Sequence, residues 1–160
     1  MLVVADSSPL IVLINIGRID ILHALFGKVI IPPEVAVELR HDKRPLSIRT
    51  FISAPPDWLI EQTPSSVDSI PMLHPGEASA ISLAVELGAD LLLIDEILGR
   101  KAAVARGIQI TGTIGIIEQA ADQGLLDLKE AFSQIKNTDF WISHELLDAR
   151  LELFLRRKQR

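Results

Sequence analysis

Four acids in this chain stand where a carboxylate could do more than face water: Asp6 in VVADSSPL, Glu38 in PPEVAVEL, Glu77 in HPGEASAISLAVELG and Asp95 in DLLLID. Asp6 and Asp95 each follow a short apolar run of strand formers. Glu77 opens a helical pattern and shares a stripe with Ile81 and Ala84, the core-facing spacing of an amphipathic helix. Glu38 stands three residues after Val35 and directly before Leu39, beside an apolar stripe and not opposite it. Carboxylates gathered in one pocket repel, and burying them costs several kcal/mol unless they are neutralised. A hard divalent cation is the economical partner. Oxygen donors without cysteine or histidine favour Mg²⁺ or Mn²⁺ over zinc, and such an ion can activate a water and stabilise charge on a phosphodiester.

Each acid also has a plainer reading. An aspartate after a strand is often a turn former or helix cap, and Asp95 would then cap a helix starting at Glu96. A glutamate in a first helical turn favours the helix dipole, and Glu38, near a helix end, would be solvated. Glu34, Glu86 and Glu118 read as ordinary surface acids.

The elements that must position these residues alternate along the chain. Leu2–Ala5, Lys28–Ile31, Trp58–Glu61, Asp90–Ile94 and Gln109–Thr111 read as short strands, several of them continuous apolar runs of the kind covered on both faces. Helical patterns cover Pro9–Ile16, Ile19–Leu25, Pro33–Arg40, Pro75–Leu87, Glu96–Arg106 and Ile114–Gln123, followed by Leu128–Ile135 and Ser143–Arg157. Pro9, Pro33 and Pro75 fall where a first helical residue is expected, with Ser8 and His74 as caps before two of them. Gly88 and Gly107 read as C-terminal stops. The stretch from Arg40 to Asp57 reads as irregular. Alternating β and α units predict an α/β fold with a mostly parallel central sheet and helices on both faces. Asp6 and Asp95 then lie at the carboxyl ends of strands, the edge where open α/β sheets bind ligands. Helical side chains lean toward the helix N-terminus, which brings Glu38 and Glu77 toward the same edge.

The totals fit one soluble domain over residues 1–160, with 127–160 forming C-terminal helices. Hydrophobic residues make up 48% of the 160 and charged residues 23%, enough to build a core without staples. There is no cysteine, hence no disulfide framework and no thiolate metal site. No apolar run is long enough for a bilayer and no signal-peptide pattern opens the chain, so a cytoplasmic protein without a membrane partner is expected. The net charge of −5 argues against nucleic-acid binding through a general basic surface. It leaves room for an enzyme with its acids in one pocket.

Together, VVADSSPLIVL, IPPEVAVEL and GEASAISLAVELGADLLLIDEILGRKAAVARGIQITGTIGII resemble the PIN domain, in particular a prokaryotic branch of PIN-like proteins related to VapC-type toxins. The resemblance covers roughly Leu2 to Gln123. It implies a three-layer α/β/α sandwich and a metal-dependent ribonuclease using Mg²⁺ or Mn²⁺, of the kind that serves as the toxin of a toxin–antitoxin pair. RNA would be the substrate, a small antitoxin a partner, and a homodimer the assembly. Carried over by residue, the family's four acids fall on Asp6, Glu38, Glu77 and Asp95, and the hydroxyl after the first acid on Ser7. The third acid is often aspartate in VapC-type toxins and is glutamate here. The fourth can slide to Glu96, although strand parity favours Asp95.

Around these acids, Arg100 and Lys101 are candidates for a substrate phosphate. Thr111 and Thr113 end the fifth strand, with Thr113 a helix cap or a hydroxyl near the site. Arg40, His41, Lys43, Arg44 and Arg49 form a local basic cluster, read as a solvated loop or as a guide for RNA. The tail RRKQR reads as a basic helix end, and the four histidines show no metal spacing. Two other readings compete with the ribonuclease: a catalytically silent PIN-like module that binds RNA or protein, and an aspartyl phosphotransferase or receiver-like domain. DSS lacks the second acid, two residues on, of the phosphotransferase, and no early paired acids support a receiver.

Overall fold

Five short apolar runs become the strands of one sheet: β1 (Val3–Ala5), β2 (Val29–Ile31), β3 (Leu59–Glu61), β4 (Leu91–Leu93) and β5 (Ile110–Thr111). The computed structural model, which describes residues 1–160, orders them β3-β2-β1-β4-β5, every pair parallel. β1 is therefore central. Val3, Val4 and Ala5 pair with Leu91, Leu92 and Leu93.

Strand residues of both parities are buried, as in Val3, Val4 and Ala5. Because successive side chains point to opposite faces, both faces of the sheet are covered. That is the α/β/α sandwich expected from the alternation. Val4, Ile30, Leu92 and Ile94 form one core with Ala80, Ile81, Leu83 and Ala84 of α5 (Pro75–Leu87) and Ala103 of α6 (Ile97–Ala105). The remaining helices of this part are α1 (Ser7–Asn15), α2 (Ile21–Phe26), α3 (Pro33–Arg40) and α4 (Leu46–Ser53). They connect β1 to β2 to β3 in one direction, while α5 and α6 lead back through β4 to β5.

Two expectations need correction. The segment Arg40–Asp57 is not irregular throughout, because Leu46–Ser53 forms α4 and buries Ile48 and Ile52 one turn apart. With only two apolar anchors on one face, its period is too brief to stand out from the neighbouring charges. The first helix starts at Ser7, not Pro9, with Asp6 at its N-cap position and making no side-chain cap bond. Pro9 still lies in the first turn, where its missing N–H has no intrahelical partner to lose. Gly88 and Gly107 do end helices, at φ of 59° and 76°, a region that glycine enters without steric penalty.

The chain forms two compact units, Met1–Thr113 and Ile114–Arg160. The second holds most of α7 (Thr113–Asp122), together with α8 (Leu128–Lys136) and α9 (His144–Lys158). α8 buries Leu128, Ala131, Phe132 and Ile135 on one stripe, and Asp127 caps it by accepting from Lys129 N at 3.0 Å. Ser143 caps α9 by accepting from Leu146 N at 3.1 Å. No helix of the chain is long and apolar enough to cross a membrane.

Candidate active site

Asp6 leaves the centre of the sheet at its carboxyl edge. Its N–H donates to Leu93 O at 2.9 Å, which extends the ladder by one residue and fixes the backbone there. The side chain is only 3% exposed, and Oδ1 has no hydrogen-bond partner. Burial raises the Asp6 pKa to about 7; a backbone hydrogen bond at Ser7 opposes this, and Glu38, Glu77 and Asp95 each push it further up. The three other acids therefore lie within electrostatic reach of Asp6. All four thus lie near the carboxyl edge of the sheet.

Glu77 lies in the first turn of α5, on the stripe that continues through Ile81 and Ala84, all three buried. Its Oε1 accepts from His74 N at 3.2 Å, while Oε2 is buried without a partner. Burial raises its pKa, the His74 backbone bond and imidazole oppose this, and Glu96 and Glu38 add to it. Of three buried side-chain atoms without a partner in the chain, two belong to Asp6 and Glu77. Such atoms are uncommon in folded proteins because an orphaned polar group forfeits its hydration.

The other two acids are occupied. Glu38, half-buried in α3, accepts from Ser7 Oγ at 2.5 Å. Asp95, just beyond β4, accepts from Thr113 N at 2.8 Å and from Thr113 Oγ1 at 2.6 Å. Ser7 and Thr113 thus meet the acids directly. Asp95 does not cap α6, whose N-cap position is held by the exposed Glu96. Arg100 is half-buried one turn into α6 and lines an open, mostly apolar groove of about 560 Å³ with Lys101, Ile97, Val104, Ala105 and Ile110. Thr111 is half-buried in β5, and its carbonyl accepts from Ile94 N at 2.9 Å.

Two groups of residues differ from their sequence reading. Glu34 is not a plain surface acid, for its Oε2 accepts from the buried Ser79 Oγ at 2.7 Å and ties α3 to α5. The basic cluster after α3 is partly engaged in holding its own segment. Arg44 Nε donates to Glu38 O, Arg49 Nε donates to Arg44 O, and Arg40 pairs with Glu61 at 3.7 Å. Three glycines next to the acids, Gly76, Gly99 and Gly112, were not marked by sequence reasoning at all.

The all-parallel α/β sheet carries two buried acids, Asp6 and Glu77, toward its carboxyl edge, and it has no glycine-rich phosphate turn of the kind a dinucleotide site needs. A family model described as a PIN domain matches residues 2–155. The chain belongs to the PIN-domain family. PIN domains are as a class nucleases, so the fold is of nuclease type. No curated protein and no solved structure matches the chain.

The family implies a divalent metal, and the donor set suits one in chemistry. Asp6 Oδ1 and Glu77 Oε2 are unpaired, buried oxygens with further carboxylates near, which is what Mg²⁺ or Mn²⁺ requires. In spacing the set is not closed, since no three acidic or imidazole groups stand together at metal-binding distance.

Proposed function

We propose that this protein is a Mg²⁺- or Mn²⁺-dependent endoribonuclease whose metal would be held by Asp6, Glu38, Glu77 and Asp95. The observation that carries this reading is the pair of unpaired buried oxygens on Asp6 and Glu77, with Glu38 and Asp95 also within electrostatic reach of Asp6. Burial without a counter-charge is expensive, and a bound cation relieves it. When bound, the ion supplies a water acidified enough to attack phosphorus and stabilises the charge that develops there.

The chain's own residues do the rest. Asp6 presents its carboxylate from the most central strand, where the ladder bond to Leu93 holds the backbone. Ser7 and Thr113 orient the carboxylates of Glu38 and Asp95 through their hydroxyl bonds. Arg100, one of the residues lining the groove, would take a substrate phosphate, with Thr111 at the neighbouring strand end. The role of toxin, inhibited by an antitoxin and working as a homodimer in the cytoplasm, rests on the resemblance to VapC-type proteins. We read the two units as one domain on the span of the family match.

The test is cleavage of single-stranded and structured RNA with Mn²⁺ and with chelator, using wild type and Asp6→Asn. Metal-dependent cleavage lost in the variant supports the proposal. A second reading, a PIN-like module that binds RNA or protein without cutting, is favoured by the open spacing of the acids. RNA retention by gel shift with no cleavage under any metal would decide for it.

A further inference from the structure

Three glycines lie against three of the four acids. A Cβ built on Gly76 would stand 2.7 Å from Glu38 Cδ and nearer still to Oε1. One built on Gly99 would stand 2.9 Å from Glu77 Oε2 and 2.6 Å from Ile94 Cδ1. One built on Gly112 would stand 2.7 Å from Asp95 Oδ1 and 3.1 Å from Arg100 Nη1. The separations from the three acids are shorter than real Cβ contacts, and that from Arg100 is tight.

None of the three has a positive φ; the glycines that do are Gly17, Gly27, Gly88, Gly107 and Gly124. Backbone conformation therefore does not require glycine at 76, 99 or 112. What glycine supplies there is the missing side chain. Intrinsic preference points the other way, because Gly76 and Gly99 lie within α5 and α6, where alanine is the better helix former.

The pattern is regular. Gly76 is the second residue of α5, Gly99 the third of α6, and Gly112 directly precedes Thr113, the first residue of α7. Each carboxylate is thus set against the amino end of a helix later in the chain: Glu38 of α3 at α5, Glu77 of α5 at α6, and Asp95 after β4 at α7. Helix amino ends present unpaired N–H groups and positive potential. That favours a carboxylate there, provided nothing fills the space between.

We infer that Gly76, Gly99 and Gly112 are positioning residues, bare seats that fix where Glu38, Glu77 and Asp95 hold their carboxylates around Asp6. This rests on the reading of those acids as a metal-binding set, and it assigns the seats a role separate from folding. Adding a single methyl group at any seat must move the carboxylate resting on it.

The clearest test uses Gly76, because all three of its nearest atoms belong to Glu38. Calorimetric titration of Mn²⁺ into wild type and Gly76→Ala should show affinity falling at least tenfold in the variant. Thermal unfolding in chelator should show Gly76→Ala lowering the midpoint when residue 38 is glutamate. In a Glu38→Ala background the same substitution should leave the midpoint unchanged or raise it. If Gly76→Ala binds Mn²⁺ as wild type does, the seat is overturned. An equal change in midpoint in both backgrounds, or failure to fold in both, overturns it as well. Absence of Mn²⁺ binding by wild type would instead sink the metal reading, and the unfolding comparison would still decide the seat.

Discussion

Asp6 and Asp122 carry the same side chain and differ in everything around it. Asp6 is buried in the first unit, has an oxygen without a partner, and feels three other acids. Asp122 belongs to the second unit, is partly exposed, and meets Arg157 at 2.7 Å and Lys158 at 3.2 Å. Its neighbours follow suit: Glu118 takes a two-armed bond from Arg150, Asp148 pairs with Lys136, and Glu152 pairs with Arg156. The second unit pairs these four acids with its own cations near the surface, where such pairs are screened and cheap. Asp6, Glu38, Glu77 and Asp95 have no such cation within salt-bridge distance. Such electrostatics are poor for stability, and they are what the proposed role in holding a cation would account for.

The largest effect that follows is on activity. Asp6→Asn should reduce Mn²⁺-dependent RNA cleavage by roughly a thousandfold, the several kcal/mol that a bound cation supplies to the reaction. Asp122→Asn should leave it within about twofold, as for a surface pair away from the reacting atoms. Equal losses in the two variants, measured as initial rates at saturating metal, would erase the distinction between the two sets.

Next in size is a pH effect on the metal-free protein. The Asp6 pKa is about 7 when folded against 3.8 for the free side chain. Between those values the folded state holds a proton that the unfolded state has released, so stability falls as pH rises from about 4 to 7 and levels off above. The span corresponds to on the order of 4 kcal/mol. Denaturant unfolding in chelator should therefore show wild type more stable at pH 5 than at pH 7.5, with Asp6→Asn flattening that slope and being the more stable protein at pH 7.5. A wild type that gains stability over the same window would show that Asp6 is not the buried, crowded acid described here.

Metal should narrow that gap. At pH 7.5, Mn²⁺ at one hundred times its dissociation constant should stabilise wild type by about 2.7 kcal/mol and leave Asp6→Asn unmoved. At pH 5.5 the proton on Asp6 competes, and the gain should shrink. A thermal shift of equal size at both pH values would point to binding elsewhere.

The acids were legible in the sequence because strand ends and helix stripes can be counted. Alternation located the sheet, apolar runs located Asp6 and Asp95 at its edge, and the Glu77–Ile81–Ala84 stripe turned Glu77 inward. What each carboxylate touches was not legible, since it depends on contacts between elements far apart in the chain. Thr113 reaches Asp95 across 18 residues and Ser7 reaches Glu38 across 31. Gly76 and Gly99 left one faint signal, a weak helix former inside a strong helical pattern. Glu34 left none, because its partner Ser79 lies 45 residues away on a helix whose burial only the packed structure reveals.

The smallest predicted effect tests the other side of the comparison. Glu118→Gln removes the charge from the two-armed bond to Arg150, in which Arg150 is itself partly exposed. An amide still accepts one hydrogen bond, and solvent screens the charge that Arg150 keeps. The cost should be about 0.5 to 1 kcal/mol, a fall of roughly 1 to 4 °C in Tm for a chain of this size. It should shrink further in 1 M salt, where the screening length is about 3 Å. Salt should leave the pH slope assigned to Asp6 largely in place, because a buried group is screened far less than an exposed one. Tm measured at low and high salt for Glu118→Gln and Asp6→Asn side by side separates the two cases. Should the Glu118 effect resist salt while the Asp6 slope collapses, surface and buried acids would have been assigned the wrong way round.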